Sequence, residues 1–586
     1  MYLSDTILTH VLASVLYRSH SLLKFLKSSS LMIFSTHFKY LSVSARVASL
    51  YKTAIIHRFR NQVIDYSATQ KQTIDILCSS SLNVPFSSLR FKITVKDLND
   101  IKRFHPNSIV ELNISSRLLQ VGSLNVHRLF QSLPQLQTIA FGVDRHYIHT
   151  IVSLLEVIEC KSVKSMKFYC TCVVSLIEAV DLNFGVNLVQ LKSLELSGSF
   201  IQTVDVKNLS NLESLEVNSC PHLTAIKGVD SLSSLTRLSL TYLPLCDDFS
   251  DISVSSCITD IEMFYTKIER SKVPLMSLKE LKYLKLNSID DSMVGTCSIF
   301  SKIITLYLGS CSGLTRLAFE KTPQLQQLTL WQCGSLLSVD LSLCRYLRKF
   351  VVENCIRLQE CRLSQNLCSF EFTVREINSQ PLFQGNFTTL PNCYSLNVTQ
   401  CSSTLTNLVN SFSLSALTML SLTRMTLTNS IHSFLLSSNA RHLKSLTLKS
   451  VKCRKILIPK SVKHLEIVDG QYLDGLTLFE ENGLRTISIQ GMESLTNFHL
   501  FSSCQLLSWL SVTGCPHIES LDGIDALRNL TIVKLRDLKL ASTHLNKLHK
   551  LQHLVSVFVQ TDEGHVTQLL NSNTIVGSVC AIFTEK

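Results

Sequence analysis

The feature that most restricts the fold of this chain is a short apolar pattern that recurs along most of its length. The pattern L-x-x-L-x-L, followed by x-x-C, begins at Ile303, Leu325 and Leu347 with a period of 22 residues. Its last two apolar residues alternate with polar ones, which is typical of a β-strand that is buried on one side. A single copy cannot bury its own apolar side, so neighbouring copies have to stack.

The same phase extends in both directions, with a mean spacing of roughly 23 residues. Copies of the pattern begin at Ile109, Leu136, Val163, Leu191, Leu212, Leu235, Ile258, Leu281, Ile303, Leu325, Leu347, Leu367, Cys393, Leu417, Leu443, Val462, Leu484, Leu507, Leu530 and Leu554. Two distant copies are almost identical. Each contains Cys-Pro-His, at Cys220 and at Cys515, and further on a glycine, a β-branched residue and an aspartate in succession. The sequence therefore predicts about twenty stacked repeats.

A cysteine recurs three residues after the predicted strand, at Cys311, Cys333 and Cys355. With this residue the repeat resembles the cysteine-containing type of leucine-rich repeat, over about residues 109–575. The resemblance implies an α/β solenoid with a curved parallel sheet, whose concave face binds a protein. Single buried thiols in successive repeats predict a protein of a reducing compartment, with the cytoplasm as the expected location and the nucleus as the alternative. Because these thiols are spread along a line and do not converge on one point, they do not predict a metal site. No cofactor is predicted.

Residues 1–60 do not follow the repeat and are predicted to be helical, because their apolar residues recur at a spacing of three and four. They resemble an F-box, whose first helix reads approximately L-P-x-E-I-L, although Ser4 replaces the proline and Thr6 replaces the acid. The resemblance implies docking of the Skp-type adaptor of a cullin–RING ubiquitin ligase. The implied adaptor-binding residues are Leu3, Ile7, Leu8, Val11, Leu12, Leu16, Phe34 and Phe38.

The sequence leaves a second interpretation of this segment open, namely a helical cap that closes the first edge of the solenoid. The predicted organisation is then a helical domain at 1–60, a connecting or capping segment at 61–108, the solenoid at 109–575 and a tail at 576–586. The two functional hypotheses are a substrate receptor of an SCF-type ligase and an interaction scaffold without a ligase role.

Residues that flank the two strand leucines are expected on the concave face, because side chains alternate along a strand. Aromatic residues at such positions are candidate anchors for a protein partner, since large rings contribute much of the energy of protein interfaces. These candidates are Phe264, Tyr283, Tyr307, Trp331 and Trp509.

Several function classes are not predicted. The sequence contains no phosphate-binding G-x-x-x-x-G-K-[ST] loop and no G-x-S-x-G nucleophile motif, so it does not predict an enzyme. No apolar span long enough to cross a membrane is expected. Residues 1–110 carry fourteen Lys and Arg against five Asp and Glu, which suits an acidic partner. Basic runs interleaved with aromatics are missing, so the predicted partner is a protein and not nucleic acid or a membrane.

Overall fold

The computed structural model describes the greater part of the chain in two compact units, Met1–Leu281 and Lys282–Lys586. The described residues are 63–66, 90–95, 106–114, 123–143, 147–158, 162–170, 180–198, 200–246, 257–266, 278–288, 302–319, 324–373, 392–399, 416–427, 429, 433, 435, 440–473, 475–480, 482–540, 547–548, 550–561 and 566–569. The F-box-like residues predicted between Leu3 and Phe38 lie outside these ranges, as does the predicted tail.

The first unit is built on a parallel sheet. Its strands are β1 (Val63–Tyr66), β2 (Arg90–Val95), β3 (Ile109–Ile114), β4 (Thr138–Val143), β5 (Ser165–Cys170), β6 (Val180–Asn183), β7 (Ser193–Ser197), β8 (Ile201–Asp205), β9 (Ser214–Asn218), β10 (Ala225–Lys227), β11 (Arg237–Leu243) and β12 (Asp260–Thr266). Strands β6, β8 and β10 form a separate small parallel sheet, and the others pair in chain order.

Two helices of this unit connect successive strands of the large sheet. Helix α1 (Ser123–Gln131) lies between β3 and β4, and α2 (Ile148–Val157) lies between β4 and β5. The apolar residues of α2, among them Ile151, Leu154 and Leu155, are buried at helical spacing, so its apolar side packs inwards. Short 3-10 turns lie at Pro106–Ser108, Val186–Leu188 and Val229–Ser231.

The second unit repeats the parallel arrangement. Its strands are β13 (Tyr283–Asn287), β14 (Thr305–Gly309), β15 (Arg316–Ala318), β16 (Gln327–Trp331), β17 (Ser338–Asp340), β18 (Lys349–Glu353), β19 (Glu360–Arg362), β20 (Ser369–Thr373), β21 (Ser395–Thr399), β22 (Met419–Thr423), β23 (Ser445–Lys449), β24 (Ile456–Ile458), β25 (His464–Val468), β26 (Leu476–Leu478), β27 (Thr486–Gln490), β28 (Trp509–Thr513), β29 (Ile532–Leu538), β30 (Ser556–Thr561) and β31 (Val566–Leu569).

Most of these strands form one large sheet in chain order. Two small parallel sheets, β15–β17–β19 and β24–β26, lie outside it. All neighbours within the large sheet are parallel except the last pair, in which β31 runs antiparallel to β30. Short 3-10 turns lie at Gly470–Tyr472, His499–Phe501 and Ile524–Ala526.

The core is the stack of inward strand residues that the repeat predicts. Leu306, Leu328 and Phe350 lie opposite one another on β14, β16 and β18 and are fully buried. Burial of one such side chain contributes about 1.5–3 kcal/mol, so stacked repeats supply the stability that a single repeat lacks. Each of the twenty predicted repeat starts is followed by a strand of a large sheet, which confirms the phase of the pattern.

The parallel sheet begins earlier than the pattern does. The segment 61–108, predicted as a connection or cap, contains β1 and β2, and β2 pairs with both β1 and β3. The register between β2 and β3 shifts after Phe91, which is one reason that this part of the chain does not show the regular spacing. The sequence pattern therefore marks the regular repeats and not the first two described strands of the sheet.

Several regular strands end in a sharp corner, and in three successive repeats this corner precedes a buried cysteine. Ser310, Gln332 and Asn354 have φ values of 47°, 53° and 55°, and each directly precedes a cysteine of the ladder. This left-handed conformation turns the chain so that Cys311 and Cys333 point inwards, where their side chains are fully buried. The sulfur of Cys333 also contacts the carbonyl oxygen of Leu308, at 3.5 Å.

We expect alkylation to distinguish the buried ladder from an exposed thiol. Burial raises the pKa of Cys220 to about 12, so below that pH its reactive thiolate form is scarce. Cys257 is exposed. Iodoacetamide at pH 8 should therefore label Cys257 within minutes and Cys220 only after unfolding, as read by peptide mass spectrometry. Equal labelling of both thiols in the folded protein would contradict the buried position of Cys220.

Candidate functional site

The candidate binding surface consists of the strand residues that point away from the core. On β16, Leu328 and Leu330 are fully buried, whereas Gln327, Thr329 and Trp331 are at least partly exposed. We use the name outer sheet face for the first, third and fifth residues of each such strand. It is the side that the leucine-rich-repeat resemblance predicts to be concave, and parallel pairing arranges its residues in three rows.

Two of the predicted aromatic residues occupy neighbouring places on this face. Trp331 lies directly opposite Gly309 on the adjacent strand. A Cβ atom at Gly309 would lie 2.9 Å from Cε1 of Tyr307, so the tyrosine ring fills the space that the glycine leaves. The ammonium group of Lys285 lies 5.4 Å from the centre of the same ring. We call Lys285, Tyr307, Gly309 and Trp331 the tyrosine–tryptophan cluster.

The other two aromatic candidates of this region lie elsewhere on the strands. Tyr283 is the first residue of β13, so it occupies the first row, whereas Tyr307 occupies the third position of its strand and Trp331 the fifth. Phe264 lies on β12, in the first unit, and is half-buried. The structure therefore places Tyr307 beside Gly309 and Trp331 opposite that glycine. Tyr283 lies in the first row, and Phe264 takes the fifth position of its strand in the other unit.

The second tryptophan forms part of another cluster. Trp509 is the first residue of β28, and the ammonium group of Lys534 lies 5.9 Å from its ring centre. On the next strand, the guanidinium carbon of Arg536 lies 4.5 Å from the ring centre of Phe558. Both cationic side chains are exposed, and both rings are half-buried. We call these four residues the cationic cluster.

The sequence did not predict the partners of Trp509. Lys534, Arg536 and Phe558 occupy outer positions of repeats that are themselves correctly phased, so alternation alone could have placed each one on this face. Their contacts join residues 25 and 22 positions apart, which only the pairing of β28, β29 and β30 brings together.

The first unit carries a different surface that the sequence also did not reveal. Tyr242 and Tyr265 stack with ring centres 4.8 Å apart, and they are 53% and 44% exposed. Both take the left-handed corner position, with φ values of 55° and 49°. In the second row of the same unit, Glu195 lies opposite Glu216, and Lys167 forms an ion pair with Glu195. The outer positions of β7 and β9 thus carry two carboxylates, whereas those of β28–β30 carry two cations.

Two other kinds of feature, a metal site and a membrane-spanning helix, are absent from the described ranges. No group of three or more His, Cys, Asp or Glu residues in them is placed to hold a metal ion. Neither α1 nor α2, nor any other helix of the described part, has the length and apolar character needed to cross a membrane.

Known proteins that are similar to this chain match it over a short segment or at low sequence identity. No protein-family model matches it. Over 90 residues, 15% of the chain, it is 33% identical to the disease resistance protein RPS6 of Arabidopsis thaliana. The matched part spans only 8% of the length of that relative.

Solved structures that align with the chain are remote. A leucine-rich-repeat protein of Leptospira interrogans shares 15% identity and covers 80% of this chain and 99% of its own, with a TM-score of 0.36. The TLR13–ssRNA13 complex shares 13% identity over 80% of both chains, with a TM-score of 0.35. The ectodomain of the Arabidopsis thaliana receptor kinase GASSHO1/SCHENGEN3 shares 12% identity over 85% of this chain and 72% of its own, with a TM-score of 0.27.

The repeat itself assigns the fold class. Inward leucines at the predicted phase and one parallel strand for each predicted repeat recur through both units. A buried cysteine follows a left-handed corner at Cys220, Cys311, Cys333, Cys355 and Cys515. The described residues of each unit therefore have the leucine-rich-repeat fold, with parallel strands stacked as a β-solenoid.

Proposed function

We propose that this chain is a protein-recognition module that serves as the substrate-recognition subunit of an SCF-type, cullin–RING ubiquitin ligase. The observation that carries the recognition role is the outer sheet face, on which partly exposed aromatic and charged side chains are held in fixed rows by parallel pairing. Side chains on a rigid sheet lose little conformational entropy on binding, so such a face favours specific association.

The ligase part of the proposal depends on the N-terminal sequence. The apolar stripe of Leu3, Ile7, Leu8, Val11 and Leu12 would dock a Skp-type adaptor, with Leu16, Phe34 and Phe38 completing the contact. The basic balance of residues 1–110 supports this proposal, since the F-box resemblance implies an acidic adaptor. In this arrangement the solenoid holds the target and has no catalytic residue of its own.

The cellular location belongs to the same proposal. Cys311, Cys333 and Cys355 are buried cysteines in successive repeats. A reducing compartment keeps such neighbouring thiols from oxidation, which supports the cytoplasm as the site of action.

An interaction scaffold without a ligase role is the second candidate. Its specific support is the 33% identity over 90 residues with a protein named for disease resistance. In that case residues 1–60 would be a helical cap that protects the first edge of the stack.

Retention of a purified Skp-type adaptor by the immobilised full-length chain tests the proposal. We expect the wild-type chain to retain the adaptor and the double variant Ile7→Asp, Leu8→Asp to lose at least about 90% of it, because two charges on an apolar stripe abolish its burial. The amount of adaptor eluted, measured against an established F-box protein treated in parallel, gives the result.

The matched control is Thr6→Asp with Thr9→Asp, which adds the same charge off the apolar stripe. Undiminished retention by this control is part of the expected result. If the established F-box protein retains the adaptor and the wild-type chain does not, the ligase role is wrong and the scaffold role stands.

A further inference from the structure

We propose that the cationic cluster binds an acidic, extended segment of a partner protein. This inference rests on the protein-recognition part of the proposed function and is independent of the adaptor part. It concerns Trp509, Lys534, Arg536 and Phe558, and it assigns to them a ligand whose carboxylates alternate along an extended backbone.

The first argument is the charge of this part of the outer sheet face. Its nine outer positions carry two cations and no carboxylate. In order along β28, β29 and β30 they are Trp509, Ser511, Thr513, Ile532, Lys534, Arg536, Ser556, Phe558 and Gln560. The nearest acid in sequence, Asp537, follows at the bulge that ends regular pairing between β29 and β30. A ligand lying across these strands would therefore meet positive charge and neutral hydroxyl or amide groups.

The second argument is the state of the two cations. Among the residues that the structure describes, no carboxylate forms an ion pair with Lys534 or Arg536, and both side chains are exposed. Their contacts are with the rings of Trp509 and Phe558. Stacking on a ring holds a guanidinium group in one orientation while its N–H groups can still donate to a carboxylate.

The third argument is the spacing of the charges. Lys534 and Arg536 are alternate residues of one strand, so their Cα atoms lie about 6.8 Å apart. Alternate side chains of an extended peptide have the same spacing. A peptide of the form acid-x-acid that runs along β29 can therefore place one carboxylate near each cation.

A protein segment fits this cluster better than a nucleic acid does. Proteins that bind single-stranded nucleic acid present open ring faces on which bases stack. Here each ring is half-buried and already has a cation over one face. The exposed groups of the cluster are thus its charges, and the rings act mainly to position them.

The experiment measures binding of a fluorescein-labelled peptide of alternating Glu and Thr residues to the full-length chain, by fluorescence anisotropy at physiological salt. We expect saturable binding that weakens at least about tenfold in the double variant Lys534→Gln, Arg536→Gln, because charge-assisted hydrogen bonds are the strong ones. The same peptide with Gln in place of Glu should not bind.

The matched control is Lys349→Gln with Lys449→Gln, which removes the same charge from outer positions of β18 and β23. This control should change the dissociation constant by less than about twofold. Equal weakening by both double variants would show general attraction to a chain of net charge +12 and overturn the inference. The inference would also be overturned if the peptide did not bind, or if labelled oligouridylate bound more tightly than the peptide and depended on the same two cations.

The outcomes separate this inference from the ligase role. If the chain retains the adaptor but does not bind the Glu–Thr peptide, only the acidic-segment assignment is lost. If it binds the peptide with the expected dependence on Lys534 and Arg536 but does not retain the adaptor, the assignment stands for a scaffold protein.

Discussion

Replacement of Gly523 by alanine is expected to lower the free energy of unfolding by about 3 kcal/mol. Gly523 has φ = 90°, a conformation that strains any residue with a side chain. A Cβ atom there would also lie 2.5 Å from the backbone nitrogen of His499 in the preceding repeat. Because backbone cannot move aside as the end of a side chain can, the two repeats would have to separate.

Gly514→Ala is the matched control for this variant. Gly514 has a similar φ of 60°, but no atom lies within 4 Å of the position of its Cβ. Its cost should be limited to backbone strain of about 1 kcal/mol. Urea unfolding followed by circular dichroism measures both values, and equal destabilisation by the two substitutions would show that the close approach to His499 is unimportant.

Replacement of Phe350 by alanine is expected to cost about 4 kcal/mol of unfolding free energy. Phe350 is fully buried and its ring stacks on that of Phe370 in the next repeat, with centres 5.5 Å apart and planes 11° apart. Truncation leaves a cavity between two repeats that fixed strand pairing cannot close. Thermal and urea unfolding of the full chain provide the measurement.

The neighbouring residue supplies the control for the core variant. Lys349 precedes Phe350 on β18, lies on the outer sheet face and is exposed. Lys349→Ala should change the free energy of unfolding by no more than about 0.5 kcal/mol. A similar loss in both variants would be incompatible with the alternation of buried and exposed residues along this strand.

Much of the fold could be predicted because one local rule is repeated. Alternation in Leu328-x-Leu330 is sufficient to predict a strand with Trp331 on its outer side, and the same rule holds for every repeat start between Ile109 and Leu554. The strands Val63–Tyr66 and Arg90–Val95 could not be found in this way, because they lack the regular L-x-x-L-x-L spacing.

Less of the candidate site was accessible from the sequence, because its geometry depends on pairing between repeats. Alternation gives the face on which Trp509 lies, but it does not show that Lys534 reaches the ring from the next strand. Tyr242 and Tyr265 occupy the left-handed corner, where many other repeats have serine or glycine. The repeat pattern specifies no residue at this corner, so the sequence did not predict that two tyrosines of neighbouring repeats would stack there. Rows and contacts of this kind can be predicted only when the register of the paired strands is known.

The antiparallel strand β31 has a consequence for how copies of this protein behave in concentrated solution. A parallel strand at the end of a large sheet presents unpaired N–H and C=O groups on which a strand of another molecule can grow. In this chain the residues from Val557 to Gln560 are already paired, with β31 running in the opposite direction. A parallel repeat from a second molecule therefore cannot pair with β30 and would have to pair with β31, whose length of four residues and reversed direction make it a poor template for such a repeat.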